Sequence, residues 1–505
     1  MMNRREAMVR LAAVTAGSLV GLPRSHALTN VAGKPGMAES GVAAFASSFE
    51  GVRETYPPVT VRFSHPLPSG LSGTLYRNGP ALMSRGEQRY QHWFDGDGMV
   101  QSFRLSGQTM THQAKLVQTD RLAAESAAGR YLWPGFGTAF KNTRHVRSGD
   151  DMNVANISVL PVQDELLALW EGGSAWRLDP ETLKTKGRKV FSTETDGLSF
   201  SAHPRQDPDG RIWNFGYLAG SGKLVLYDLA KTGQLNRAKL IDAPNADMVH
   251  DFAVTERFLV FVLTPLQYQR SKGPEARSFL QRLQWQPEKP VIAMIVSKET
   301  LAPVAQFELP PFFVFHFGNA YEDGQSIRLD VARAPDFDEL MSAITQATLG
   351  QAIPSMRREQ SMQLVLDLEN KTSRSELLPI FTADFPRFDQ RFTGQRASRL
   401  FMLSEDERRP QDAFGFGQLI AWDHSSQRLQ RFSYEPHVIA EEHIFVAAPG
   451  KSEGVGWILG TSFDVNQRRT SLSVFDSRAV DAGPISTARL PYHLPLGLHG
   501  QFVAA

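Results

Sequence analysis

From about residue 50 onward, the hydrophobic positions come in short alternating runs broken by clusters of Asp, Gly, Pro and Ser. Period-two alternation is the pattern of half-buried strands, and stretches with helical period are scarce. One unit recurs: an apolar strand, a polar turn containing Asp or Ser, then a second strand, as in AWRLDPETLKT and LVLDLENKTSRSEL. The copies carry their turn residues at Ser106, Asp179, Asp228, Ser297, Asp367, Asp423 and Asp476, roughly 60 residues apart. Four strands of about 5–6 residues with their connections fit such an interval. The pattern predicts an all-β chain, a seven-bladed β-propeller over residues 51–505. A pair of β-sandwiches would not require the repeat.

Three segments, 121–150, 265–290 and 333–362, fall outside the strand pattern. They are expected to cap one propeller face with loops and short helices. DFDELMSAITQAT has helical spacing and an acidic start, which predicts a helix over 336–348.

The N-terminus reads differently. Arg4, Arg5 and Arg10 precede a mildly apolar run, Leu11–Leu22, and Ser25-His26-Ala27 is a small-x-small cleavage pattern. Residues 1–27 therefore read as an export signal, and residues 28–50 as a linker. The adjacent arginines suggest the twin-arginine route, while Glu6 and Ala7 after the pair keep ordinary secretion open. The expected location is outside the cytoplasm, in a periplasm, with peripheral membrane contact one option.

Composition narrows the chemistry. With 42% hydrophobic and 21% charged residues the chain can build a sizeable core, so wholesale disorder is excluded. A net charge of +1 gives no excess with which to neutralise a phosphate backbone, so nucleic acid is not an expected partner. Cysteine is absent, which removes disulfides, zinc–thiolate sites, iron–sulfur clusters and cysteine nucleophiles. Any metal falls to the carboxylates and the 13 histidines.

Four of those histidines share one place in the repeat. His203, His250, His316 and His499 each follow a hairpin turn residue by roughly 20 positions, which puts them at one level of the next blade's innermost strand. Such strands converge on a propeller axis, so four imidazoles there make a metal site. His443 also meets the offset. Asp384 and Glu442 lie near the same level, suited to accept the second ring N–H of a ligating imidazole; capping a strand end or pairing with Arg387 is the plainer alternative for either.

The chain resembles the carotenoid cleavage oxygenases. The resemblance covers nearly everything after residue 50. It rests on Gly73-Thr74-Leu75-Tyr76-Arg77-Asn78-Gly79-Pro80, Phe94-Asp95-Gly96-Asp97-Gly98-Met99 and Leu166-Leu167-Ala168-Leu169-Trp170-Glu171-Gly172-Gly173. Ser201-Ala202-His203-Pro204, Val249-His250-Asp251-Phe252, Phe315-His316 with Asn319-Ala320-Tyr321-Glu322, and His499-Gly500 follow in the family's order. The resemblance implies ferrous iron, one per chain, held by His203, His250, His316 and His499, with Glu171, Asp384 and Glu442 behind the ligands. It sets His443 aside.

Two positions depart from the family pattern. Asp384-Phe385-Pro386-Arg387 stands where the family has Glu-Phe-Pro-Arg, so a longer or water-bridged bond to the ligand is expected. Ile157, in Asn156-Ile157-Ser158, replaces a threonine near the open iron positions and should restrict water there. Phe94-Asp95-Gly96-Asp97-Gly98 lacks the later carboxylates of a calcium loop and reads as a tight strand connection.

Four neutral imidazoles leave two positions open on a ferrous ion, as dioxygen activation requires. The resemblance implies scission of one C=C bond of a carotenoid or apocarotenoid by O₂, giving two carbonyl products. A stilbene-cleaving dioxygenase is the alternative within the family, and a propeller serving as a binding platform the non-enzyme one. Family members commonly dock on membranes; Leu132, Trp133 and Phe136, in Tyr131-Leu132-Trp133-Pro134-Gly135-Phe136, are the candidate apolar contact, with an ordinary buried loop the alternative.

Overall fold

The structure is a computed structural model that describes residues 45–52, 55–270, 277–410 and 413–505. The expected export signal, residues 1–27, lies outside the described residues, as does residues 28–44 of the expected linker. The remainder of that linker is part of the body. Phe45 and Phe49 are buried, with Phe49 edge-on to Trp93 and Phe414.

Seven antiparallel sheets are arranged as the blades of a propeller. Their innermost strands, from the first blade to the seventh, are Gly500–Ala504, Ser158–Val162, Arg205–Gln206, Ala253–Val254, Phe313–Asp323, Ala383–Arg387 and Val438–Ala447. The first blade is closed by the chain end: Gly500–Ala504 pairs with Gly73–Leu82. Middle strands such as Phe258–Leu263 are buried on both faces because each sheet packs between two neighbours. Outermost strands such as Thr372–Phe381 are mostly exposed.

In every blade the expected hairpin joins the third and fourth strands counted from the axis. In three of them an aspartate makes the turn by accepting backbone N–H bonds two and three positions on. Asp179 does so from Glu181 and Thr182, Asp367 from Glu369 and Asn370, and Asp423 from Ser425 and Ser426. Asp228 differs: it lies within Lys223–Leu229 and pairs with Arg211 and Arg237.

The expected caps cover one mouth of the axis. Helix α1, Asp120–Ala128, starts where the Thr119 hydroxyl accepts from Leu122 N–H and ends at Gly129 in the left-handed region. Helix α2, Phe337–Thr348, starts at Asp336, whose carboxylate accepts from Asp338 N–H. Between them in sequence, Leu266–Tyr268 pairs with Leu283–Trp285. Among the described residues no helix is long and apolar enough to cross a membrane.

Candidate metal centre

Each of the four histidines sits where its innermost strand begins or its pairing breaks. His203 and His250 precede Arg205–Gln206 and Ala253–Val254, and His499 immediately precedes Gly500–Ala504. His316 lies in Phe313–Asp323 at a register shift between Val314 and Phe317, which releases its side chain towards the axis. The backbone at this level is pinned locally. The Ser201 hydroxyl accepts from His203 N–H, and Ile157 C=O accepts from His499 N–H.

The ring nitrogens of the four lie within 4.8 Å of one another. Nε2–Nε2 separations are 2.9 Å for His203–His250, 3.2 Å for His250–His316 and 3.1 Å for His316–His499. Three rings donate Nδ1–H to a carboxylate: His250 to Glu171, His316 to Asp384 at 2.8 Å, and His499 to Glu442 at 2.8 Å. A neutral imidazole donating at Nδ1 has a bare lone pair at Nε2. The His250–His316 and His316–His499 contacts therefore set lone pair against lone pair, which is repulsive unless a cation lies between them. The spacing is that of neighbouring ligands at right angles on an ion with metal–nitrogen bonds of about 2.1 Å. The donor set fits a divalent metal that accepts imidazole and keeps positions open.

The electrostatics favour neutral rings at His203 and His499. Burial and the neighbouring imidazoles push His203 well below its usual range, and burial brings His499 down to about 4 against the pull of Glu442. For His316 burial is outweighed by Asp384, which raises it. Burial alone would raise Glu442, but Arg387, His499 and Arg77 hold it well below the usual carboxylate range.

The supporting carboxylates are themselves fixed. Glu442 accepts from Arg387 at 2.6 Å and from Gly500 N–H at 2.7 Å. Pairing with Arg387, the plainer alternative, is thus found at Glu442 beside its bond to His499, while Asp384 is given over to His316. Glu171 takes a second bond, 2.8 Å, from the Tyr217 hydroxyl. Burial and Glu171 push that phenol well above its usual range, so it stays a donor. Asp384 binds His316 directly, so the expected longer or bridged bond is not found. A bulge supplies the missing reach: pairing shifts between Asp384 and Arg387, and Phe385 adopts φ 55°. Its ring stacks on His316 at 5.4 Å and contacts His499 at 5.3 Å.

A cavity of about 3900 Å³ opens from the capped face onto three of the four rings, those of His250, His316 and His499. Ile157 lines it beside Leu498 and His499. Aromatic rings form one wall: Phe315 against His250, then Phe94, Phe136 and Phe279 in succession. Tyr217 and this wall were not singled out from sequence, since the family motifs mark ligands and isolated Phe residues do not distinguish a cavity from a core.

Other expectations resolve locally. His443 bonds Tyr434 and the Glu441 carbonyl and stays out of the cluster. Asp95 accepts from Gly137 N–H and the Thr138 hydroxyl, and Asp97 pairs with Arg85, so this loop is a strand connection. The expected membrane contact needs correction. Leu132 and Trp133 are 2% and 5% exposed, drawn inward because Glu125 accepts their N–H groups, and Phe136 stands in the cavity wall. They offer no surface for docking.

The family model described as Retinal pigment epithelial membrane protein (RPE65) matches residues 49–504. The chain belongs to this family, that of the carotenoid cleavage oxygenases. It is 29% identical to apocarotenoid-15,15′-oxygenase of Synechocystis, over 86% of this chain and 91% of the relative. Isoeugenol monooxygenase of Pseudomonas nitroreducens is 27% identical over 86% of this chain and 93% of its own length. The crystal structure of Pseudomonas brassicacearum lignostilbene dioxygenase superposes with a TM-score of 0.79 and 27% identity, covering 92% and 98% of the two chains. The chain is an oxygenase-family enzyme built on a seven-bladed propeller.

Proposed function

We propose that the protein is a ferrous dioxygenase that cleaves one C=C bond of a carotenoid or apocarotenoid. One alkene and one O₂ give two carbonyl products, with no other reductant consumed. The observation that carries the reading is the convergence of four histidine Nε2 atoms, three of them on rings lining an aromatic-walled cavity. Iron, when bound by His203, His250, His316 and His499, supplies dioxygen activation at the positions that these ligands leave open.

The chain's own groups do the rest. Glu171, Asp384 and Glu442 hold the Nδ1 protons, which fixes each ring's tautomer and orientation. Phe94, Phe136 and Phe315 can hold a flat conjugated chain by shape, since it offers no group for strong ligation. Ile157 presents an apolar side chain where water would otherwise compete.

A second reading, cleavage of an aryl alkene of the stilbene or isoeugenol type, is supported by the likeness to isoeugenol monooxygenase and lignostilbene dioxygenase. The test is to purify the protein, assay bound iron, and incubate it with apocarotenal and stilbene panels with and without air. Near-stoichiometric iron, lost in His250→Ala, with O₂-dependent aldehydes from the apocarotenals is the expected result. Aldehydes from stilbenes alone select the second reading. No iron after reconstitution overturns both and leaves a binding platform. We further propose export through residues 1–27, which cell fractionation with and without that segment tests.

A further inference from the structure

The aromatic wall does not end at Phe279. Its ring lies 5.5 Å from that of Tyr268, and both line the cavity together with Arg270 and Arg282. The wall is tied together by backbone: Phe279 N–H donates to Gly135 C=O and Leu280 N–H to Phe136 C=O. One continuous face thus runs from the four histidines to a tyrosine flanked by two guanidinium groups.

The geometry of that far end is specific. Tyr268 and Arg270 press on the same glycine: a Cβ on Gly220 would stand 3.1 Å from the Tyr268 ring and 3.1 Å from Arg270 Nε. Arg282 is held opposite by its carbonyl, which accepts from Gln269 N–H, and its guanidinium bonds the Tyr268 hydroxyl. Arg270 donates to the Gly220 carbonyl, at 2.7 Å. Among the described residues neither Arg270 nor Arg282 has a carboxylate partner. The nearby Asp247 is already engaged, one oxygen with Gly220 N–H and the other with Tyr268 N–H.

An arginine pair with no carboxylate partner among the described residues, at the end of an apolar wall, suits an anion attached to an apolar body. Arginine and carboxylate match in a two-point geometry, whereas an ester or hydrocarbon end would leave both charges unanswered. We infer that the substrate carries a carboxylate at the end remote from the cleaved bond, and that Arg282, with Arg270 and Tyr268, binds it. The inference rests on the proposed reading of the site as a conjugated-alkene oxygenase and narrows its substrate class to acids.

The test uses the full chain loaded with iron, without O₂ and without vesicles, so that binding is read apart from turnover and from lipid. The probes are a linear polyene carboxylic acid and its methyl ester of the same length, followed by quenching of tryptophan fluorescence; Trp93 and Trp170 line the cavity. The acid is expected to bind at least about tenfold tighter than the ester. In Arg270→Gln/Arg282→Gln that ratio falls to near one, and Arg282→Lys recovers part of it. Equal binding of acid and ester by the unmodified protein, or an acid preference that survives the double substitution, overturns the inference. Admitting air then separates the two claims. An arginine-dependent acid preference without cleavage of either probe keeps the carboxylate site and refutes the alkene-cleaving reading. Cleavage of both with equal KM keeps that reading and refutes the site.

Discussion

Asp384 accepts from His316 Nδ1–H at 2.8 Å although its side chain is one methylene shorter than the family's glutamate. The bulge and the left-handed Phe385 bring the backbone forward, and Asp384 Oδ1 also accepts Phe385 N–H at 2.8 Å. Position and side-chain length are therefore matched. Asp384→Asn is expected to lower iron affinity roughly 10- to 100-fold, because the amide fails to hold the His316 tautomer. Asp384→Glu is expected to lower it as well, since the longer side chain must fit a strand already moved towards the ring. Iron retention against a graded chelator measures both. Tighter retention in Asp384→Glu would show that the bulge does not compensate for length.

The four histidines were legible because the repeat carried them: each stands just before or early in an innermost strand, and a near-constant offset from a turn is the record of that in the sequence. Asp384 and Glu442 followed from the same offset. Glu171 came only through the resemblance, since it lies past the second strand of its blade, outside the register. Tyr217 and the aromatic wall left no periodic trace, because they come from three blades and two capping segments that meet only in space. The misjudged contact at Leu132 and Trp133 has the same origin. Their burial depends on Glu125 in α1, anchored by Arg121, an ion pair that hydropathy does not register.

Tyr217 donates to the Glu171 oxygen that does not face His250. Tyr217→Phe leaves a buried carboxylate oxygen unsatisfied, at a cost of about 1–3 kcal/mol that falls on the Glu171–His250 unit. The expected outcome is faster iron loss and a lower kcat with little change in KM. Glu171→Gln is expected to do more, because it alters the bond to the ring itself. Stopped-flow chelation and steady-state kinetics read the two effects, and an unchanged iron off-rate in Tyr217→Phe would count against the coupling.

Ile157 offers its carbonyl to His499 and its side chain to the cavity and to the core around Phe200 and Leu498. A threonine keeps the backbone contact and exchanges apolar volume for a hydroxyl. Ile157→Thr is expected to cost roughly 1–2 kcal/mol of stability from lost burial. It should also admit water beside the open metal positions, seen as more O₂ consumed per aldehyde formed. Paired oxygen-electrode and product assays check the ratio, and a ratio equal to that of the unmodified protein would mean that Ile157 does not govern water entry.

Asp95 is buried beneath the Phe94–Phe136 wall and holds the loop at Gly137 and Thr138. Burial raises its carboxyl to about 6, against the hydrogen bonds from Thr138 and Gly137 that lower it. A carboxyl whose folded value is raised binds its proton more tightly folded than unfolded, so folding stability is greatest below the unfolded value and falls as pH rises through the folded one. Between pH 4 and 6.5 the unmodified protein should therefore lose up to roughly 3 kcal/mol that Asp95→Asn, with no proton to lose there, does not. Urea unfolding of both proteins across that range measures the difference. Asp97, also raised to about 6 by burial, is common to both and cancels in the comparison. If the two curves run parallel, the Asp95 charge is compensated by Arg121 in the fold and the loop that carries Phe136 is held at every pH.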